Sequence, residues 1–465
     1  MCIFFGDASV AFTIDAKEYE LRRYYRCYAL FTGERVTPTD ELLKSVESRS
    51  KSGTEACMAL LDRAMLDEKG SLPAVNGVTD PLGRKVFSRL LELYQKELSN
   101  PTYISTFQSP RFEADLFDLN ESGYQMIYTL FGQNQAYRDL VTRDFALSAK
   151  RERKEDTRSI GSVITIEEPT FDSAPFSTTN PRTNQNLMES LTERFKPHVV
   201  QQGLLQGLVR DERPLLMPNR NNANMNFHFG GGMLGSIPYM FANTNLFTPP
   251  DGGFKTHRAL TASMIEDTLC RPLPWVRPSD AIGYVNPASK LSFRTGVSCA
   301  HCHTSSDRAA AGLREVRYDK SHAFGVSFWN RNPVSEPAAP FPEIEGDLKF
   351  ANRPSSGLFY YRTMNGALIS QSFEGVKGLG QLIANLDDFY ICAAKRHYRF
   401  LTGIDVDISD LGDPSNPAML SKAEMLKRDL VRKLGLELKS HQSLRNLIKA
   451  IIERPEFALP GRGIL

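Results

Sequence analysis

Five consecutive residues, Cys299-Ala300-His301-Cys302-His303, constrain this 465-residue chain more than any other segment. Cys-x-x-Cys-His is the attachment signature of c-type haem. Two thiols one helical turn apart can add to the two vinyl groups of one porphyrin, and the histidine after the second then supplies the proximal imidazole. The expected cofactor is haem c, held by Cys299, Cys302 and His303. Two other readings stay open. Cys-x-x-Cys can be half of a zinc site with His301 or His303, although no second Cys-x-x-Cys is present. It can also be a redox or structural dithiol, but a thioredoxin-like motif wants a buried strand before it and a helix after it, and here Ser298 precedes and Thr304-Ser305-Ser306-Asp307 follows.

The second axial position has several candidates. Met364 leads, because Thr363, Asn365 and Gly366 make it a loop methionine and it lies far enough from His303 for the chain to return over the open haem face. His322 and His257 follow. His301 is expected to face solvent from inside the motif. Arg294, Arg308, Arg314 and Arg317 surround the motif, where one or two suit haem propionates and the rest read as surface charge. Phe328 and Trp329 suit a haem wall or a core. His397 reads as a structural helix residue. Asp405, Asp407, Asp410 and Asp413 lack the glycine and terminal glutamate of a calcium loop and read as a solvated loop. Gly230-Gly231-Gly232 lacks Gly-Lys-Ser/Thr and Gly-x-Gly-x-x-Gly, so a packing turn is expected rather than a phosphate cradle.

Haem c is attached outside the cytoplasm, so the expected compartment is periplasmic or cell-envelope. Residues 1–11 fit the tail of an export signal, with Ser9-Val10-Ala11 as a cleavage site. Export makes disulfides permissible. With Cys2 in the signal, Cys27, Cys57, Cys270 and Cys392 remain. Cys27 with Cys57 and Cys270 with Cys392 is the favoured pairing, and buried free thiols are the alternative.

Charge and hydropathy narrow the partners. Lys+Arg 56 against Asp+Glu 54 leaves a net charge of +2, so nothing points to nucleic acid or an anionic membrane. No run of eighteen apolar residues exists to span a bilayer. A redox partner protein or an envelope assembly is the expected partner.

The fold class expected is mainly α: a multi-module helical protein with the haem motif in a loop-rich segment. The modules read as a helical unit over 12–156, a loop-rich segment over 157–255, a haem-binding unit over 256–370 and a helical unit over 371–465. Helices are expected within 15–66, ending one run at Gly33, around Leu90–Tyr94, over 124–147 and over 256–270. The charge run at 150–156 reads as a solvated helix end, and 157–186 as a loop with a short strand at 163–166. Arg23-Tyr24-Tyr25-Arg26 before Thr32-Gly33 and Arg396-His397-Tyr398-Arg399 before Thr402-Gly403 form a weak repeat, which suggests similar or mutually packed ends.

The chain also resembles a family. Leu269-Cys270-Arg271-Pro272-Leu273-Pro274 and Phe293-Arg294 leading into the motif are similar to the cytochrome-c-like module of large secreted planctomycete-type proteins. Gly375 to Gly380, Phe389 to Ala393, Arg399 to Gly403 and Leu447 to Phe457 resemble its carboxyl-terminal helical module, and Gly231 to Leu234 with Asp139-Leu140 an upstream one. The resemblance spans about 120–460. It implies an exported, mainly helical protein with a haem c signature and no established substrate. One departure touches the haem surroundings: Asp307 is followed by Arg308-Ala309, where the family carries Pro and then Gly-Phe. The function expected is one-electron transfer by an exported c-type cytochrome, with peroxide or oxygen chemistry only at an open sixth position. The rival is a non-enzymatic structural or assembly protein of the envelope.

Overall fold

The computed structural model describes residues 15–98, 121–151, 205–211, 229–236, 239–240, 243, 254–289, 291–314, 316–319, 327–329, 355–414 and 419–459. Among these are thirteen α-helices: α1 Ala16–Thr32, α2 Glu41–Glu47, α3 Gly53–Asp62, α4 Pro81–Leu98, α5 Glu121–Phe131, α6 Phe254–Leu269, α7 Pro278–Ala281, α8 Val297–Ala310, α9 Gly375–Ile383, α10 Asp387–Thr402, α11 Lys422–His441, α12 Leu444–Ile452 and α13 Pro455–Ala458. Eight strands form four antiparallel pairs: β1 Ala74–Val75 with β2 Val78–Thr79, β3 Ala146–Arg151 with β4 Leu205–Asp211, β5 Arg317–Asp319 with β6 Ser327–Trp329, and β7 Ser356–Arg362 with β8 Leu368–Glu374. The protein is mainly helical, as its apolar spacing implies.

The two ends of the chain repeat one local device. α1 stops at Gly33 and α10 at Gly403, both in the left-handed region at φ 75° and 78°. That conformation costs glycine little, and the glycine N–H recovers a carbonyl one turn back. Thr32 and Thr402 each donate a hydroxyl hydrogen bond to the carbonyl four residues earlier and accept one from the N–H two residues later. The helices that follow also start alike. Ser52 with Glu55 and Ser421 with Glu424 form capping boxes at α3 and α11, satisfying amides that the helix leaves open.

These ends pack together. Arg26 donates to the Leu401 carbonyl at 2.8 Å and lies over the Phe457 ring at 5.5 Å. Arg445 pairs with Asp62, and Tyr94 meets His397 at 3.0 Å. His397 is therefore a core residue, with Nδ1 on the Ala393 carbonyl at 2.8 Å. One apolar core runs through both ends and the middle, including Phe31, Leu61, Phe87, Met264, Trp275, Val376, Tyr398 and Ile451.

Several expectations change. The 124–147 stretch is not one helix: α5 ends at Phe131, a 3-10 turn covers Tyr137–Val141, and Ala146 begins β3. Pairing with β4 overrides the helical character of Ala-Leu-Ser-Ala-Lys. Lys150 thus lies in a strand, with Nζ on the Ser71 hydroxyl at 2.6 Å, and 152–156 lie outside the described residues, as do 1–14 and 157–186. The acidic loop is not uniformly solvated. Asp410 is 3% exposed and holds Arg277 bidentately at 2.7 and 2.9 Å. Burial pushes its carboxyl upward, but the Arg277 hydrogen bond and the Gly412 N–H outweigh that and leave it below the usual range.

The glycine run is a packing turn: a Cβ on Gly232 would stand 2.2 Å from the Leu140 carbonyl oxygen. No helix among the described residues is long and apolar enough to cross a membrane.

The β7–β8 hairpin seats α8. β7 alternates buried and half-buried residues, the period-two pattern of a strand with one face on a core. Its start meets the 3-10 turn Ala311–Leu313 that continues α8. A Cβ on Gly357 would lie 2.7 Å from the Gly312 nitrogen, so the two segments approach this closely only because position 357 is glycine, while a Cβ on Gly312 would meet the Phe373 ring at 2.2 Å. Arg362 at the other end of β7 pairs bidentately with Asp280 of α7. The expected boundary at 370/371 falls inside β8.

Candidate functional site

The Cys-x-x-Cys-His sequence, expected in a loop-rich segment, lies in the amino-terminal half of a helix, α8. Gly296 is its N-cap residue, and Cys299 stands in the first turn. Thr304-Ser305-Ser306 have weak helix propensity, but their burial holds them helical. Ser305 returns its hydroxyl hydrogen bond to the Cys302 carbonyl at 3.2 Å. Burial changes along the helix. Val297, Ser298 and Cys299 are exposed, His301, Cys302 and His303 are half-buried, and Thr304 through Asp307 are buried. α8 packs against α6 and β7. The amino-terminal half presents the two thiols and the imidazole.

Both motif cysteines are free thiols. Burial, and then the neighbouring Cys299, raises the Cys302 thiol above its ordinary value. The helix a thioredoxin-like dithiol wants after it is present, since α8 runs on through Thr304–Asp307 to Ala310, contrary to expectation; the strand before it is not, because a 3-10 turn, Ser292–Arg294, precedes the motif.

His303 is the best-organised residue of the motif. Its Nδ1 lies 3.1 and 3.2 Å from the two carboxylate oxygens of Asp307, one turn along α8. A carboxylate only accepts, so Nδ1 carries the hydrogen of this contact, and in the neutral imidazole the lone pair is then on Nε2. Phe293 stacks on the imidazole, with centroids 4.3 Å apart and planes 18° apart. Asp307 is fully buried and is gripped by Arg258 of α6 through Nε at 2.5 Å and Nη2 at 3.0 Å. Tyr284 donates its hydroxyl to the same carboxylate at 3.2 Å. Burial, and then Asp307, pushes the Tyr284 hydroxyl far up, so it stays a donor.

The other sequence candidates have hydrogen-bond partners of their own. His301 is not solvent-facing: it is half-buried with Nε2 on the Val276 carbonyl at 2.5 Å. His257 is 2% exposed, with Nε2 on the Val316 carbonyl at 2.6 Å, so that nitrogen is engaged. Met364 is 4% exposed and sits in the turn between β7 and β8. Its N–H donates to Asp388 at 3.0 Å and its carbonyl accepts from Arg428 at 3.2 Å. These partners differ from those around His303. His322 lies outside the described residues, and so do the side chains of Arg317, Phe328 and Trp329.

Arg294 lies over the Tyr284 ring at 4.7 Å, beside the motif. Arg308 lies over the Tyr360 ring at 4.8 Å, and burial lowers its pKa. Arg314 is 1% exposed and is not a surface charge.

Sequence reasoning missed Arg258 and Tyr284 as members of the site, and it read Phe293 and Asp307 only as family landmarks. The i,i+4 spacing of His303 and Asp307 on a helix was the one available signal. Arg258 and Tyr284 had none, because they arrive from other elements.

The donor set fits haem c. A porphyrin brings four nitrogen ligands of its own and needs from the chain only an imidazole with a free lone pair and two reachable thiols. Among the described residues no three His, Cys, Asp or Glu side chains converge to hold a metal ion by themselves. Ile282 and Val297, 61% and 41% exposed, place apolar surface on elements packed on or forming α8. No protein-family model, curated protein or solved structure matches this chain. The chemistry of the site has to come from its own residues.

Proposed function

We propose that this protein is an exported c-type cytochrome that passes single electrons to and from a redox partner protein. The observation that carries this reading is the contact between His303 Nδ1 and the buried Asp307 carboxylate. A buried carboxylate holds the proton on Nδ1, leaving Nε2 as a ligand nitrogen, on the same helix end that presents Cys299 and Cys302. Metal-binding histidines are commonly oriented this way by a second group. Cys299 and Cys302 would form the two thioethers and His303 the proximal bond. Haem bound there would supply a reversible one-electron iron couple. The chain's part is to hold the imidazole plane between Phe293 and Asp307 and to keep the helix from shifting as the iron charge changes. Disulfide Cys270–Cys392, which was the favoured partner choice for both residues, is compatible with an oxidising compartment.

The test is intact mass from a host with haem-attachment machinery. The mature chain should carry one haem, and a chain without added mass sinks the reading. Met364 is the proposed second axial ligand. Replacing it by Ala should lower the potential and open the iron to carbon monoxide. An unchanged spectrum and potential would leave Met364 a core residue.

A further inference from the structure

We propose that Asp307 is a positioning residue for the iron site: a fixed, buried carboxylate that locks the His303 tautomer and pushes electron density through the imidazole toward Nε2. The inference rests on the haem reading above. A His–Asp pair at i,i+4 on a helix surface would be a weak, incidental contact. This pair is different in three respects. Asp307 has no exposed surface, so its charge is not screened by water. Its acceptor positions are filled from three separate elements: Arg258 on both oxygens, Tyr284 on Oδ2 and His303 on both. Arg258 alone would have satisfied the charge. The further donors fix where the carboxylate points, and it points at Nδ1.

The imidazole is held on its face as well as its edge. Phe293 stacks on the ring, and the Arg258 guanidinium that grips Asp307 also lies over Phe293 at 5.0 Å. One cation therefore ties the carboxylate to the ring that sets the histidine plane. A hydrogen bond from Nδ1–H to a carboxylate raises the basicity of the ligating nitrogen, which favours the ferric state. Arg258 opposes this by drawing negative charge from Asp307. The two residues should thus act on the iron with opposite signs, which a purely structural role would not produce.

The experiment has two arms. In the haem-free wild-type protein, nitrogen-15 NMR of labelled histidine should show His303 with its proton on Nδ1. In the haem-loaded protein, Asp307→Asn keeps the shape and removes the charge. It should shift the oxidised–reduced equilibrium about tenfold toward the reduced state, 59 mV for one electron, while Arg258→Gln shifts it the other way. A proton on Nε2, or midpoint potentials unchanged or moved in the same direction by both variants, overturns the proposal. A wild-type chain that never gains haem overturns the cytochrome reading instead, and the tautomer of His303 then decides the role of Asp307 by itself. If Asp307→Asn does not fold, the wild-type tautomer and the direction of the Arg258→Gln shift decide it.

Discussion

Cys27 and Cys57 sit on two packed helices, α1 and α3, and neither exposes any surface. Cys299 and Cys302 sit in the amino-terminal half of α8, one exposed and one half-buried. The first pair is enclosed. Burial, and then the hydrogen bond with Cys57, raises the Cys27 thiol well above its ordinary value, and Cys57 leans on the Arg23 carbonyl at 3.7 Å. The expected Cys27–Cys57 disulfide is not formed in the structure, and both residues are free, buried thiols that pack the core. Residue type is the same in both regions. Access decides whether a thiol can take part in chemistry or only fills space.

The largest effect that separates the two regions is all-or-none. Cys299→Ala with Cys302→Ala should remove covalent haem completely, read as a lost mass increment, whereas Cys27→Ala with Cys57→Ala should leave attachment intact. Haem loss in the core double variant, with the fold retained by circular dichroism, would break the distinction.

The bonded pair comes next. Cys270–Cys392 closes 122 residues of sequence, and removing a native disulfide costs about 2–5 kcal/mol. Cys270→Ala with Cys392→Ala should lower the urea midpoint by a corresponding amount. A smaller penalty is expected at Cys27→Ser, because a hydroxyl enters a fully buried thiol site. Burying a hydroxyl there with only the weakly accepting Cys57 sulfur beside it costs about 1–3 kcal/mol. Cys299→Ser in the haem-free protein should leave the midpoint where it is, since the side chain is exposed. Equal losses at Cys27 and Cys299 would show that burial is not what distinguishes them.

The finest comparison lies within the motif. In haem-free protein, alkylation should label Cys299 before Cys302, and label Cys27 and Cys57 only after denaturation. The Cys302 thiol is raised by burial and by Cys299. Its thiolate fraction at any given pH is therefore below that of an ordinary cysteine, and its labelling rate should rise at higher pH. Peptide mass spectrometry across a pH series reads this, and matching profiles for Cys299 and Cys302 would contradict the burial argument.

Much of the helical frame was legible in the residues. Gly33 and Gly403 after aromatic-basic helices mark left-handed stops, and the apolar face of Leu444, Leu447, Ile448, Ile451 and Ile452 is the buried face of α12. One of the two favoured cysteine pairs was readable as well. Other features were hidden for physical reasons. β3 has the composition of a helix end and becomes a strand only by pairing with β4, whose start lies over fifty residues away. Asp410 reads as loop acid because its partner Arg277 lies 133 residues earlier in the chain. The burial of His301 likewise depends on the Val276 carbonyl, which no spacing within the motif reveals.

The sequence by itself determined what depends on neighbours along the chain. The two thiols fall one turn apart with a histidine beside them, the helix ends are capped, and His303 and Asp307 share a helix face. Those relations follow from helical geometry and survive in any fold that keeps α8 helical. Only the tertiary structure decided which of them carry consequence. Arg258 reaches Asp307 from 49 residues away and Tyr284 from 23, so the buried carboxylate acquires its compensating charge and its direction only when three elements meet. A carboxylate left in water at the same position would be solvated and nearly silent. Enclosed in a low-dielectric cluster, it is held at the nitrogen opposite the one that would bind iron.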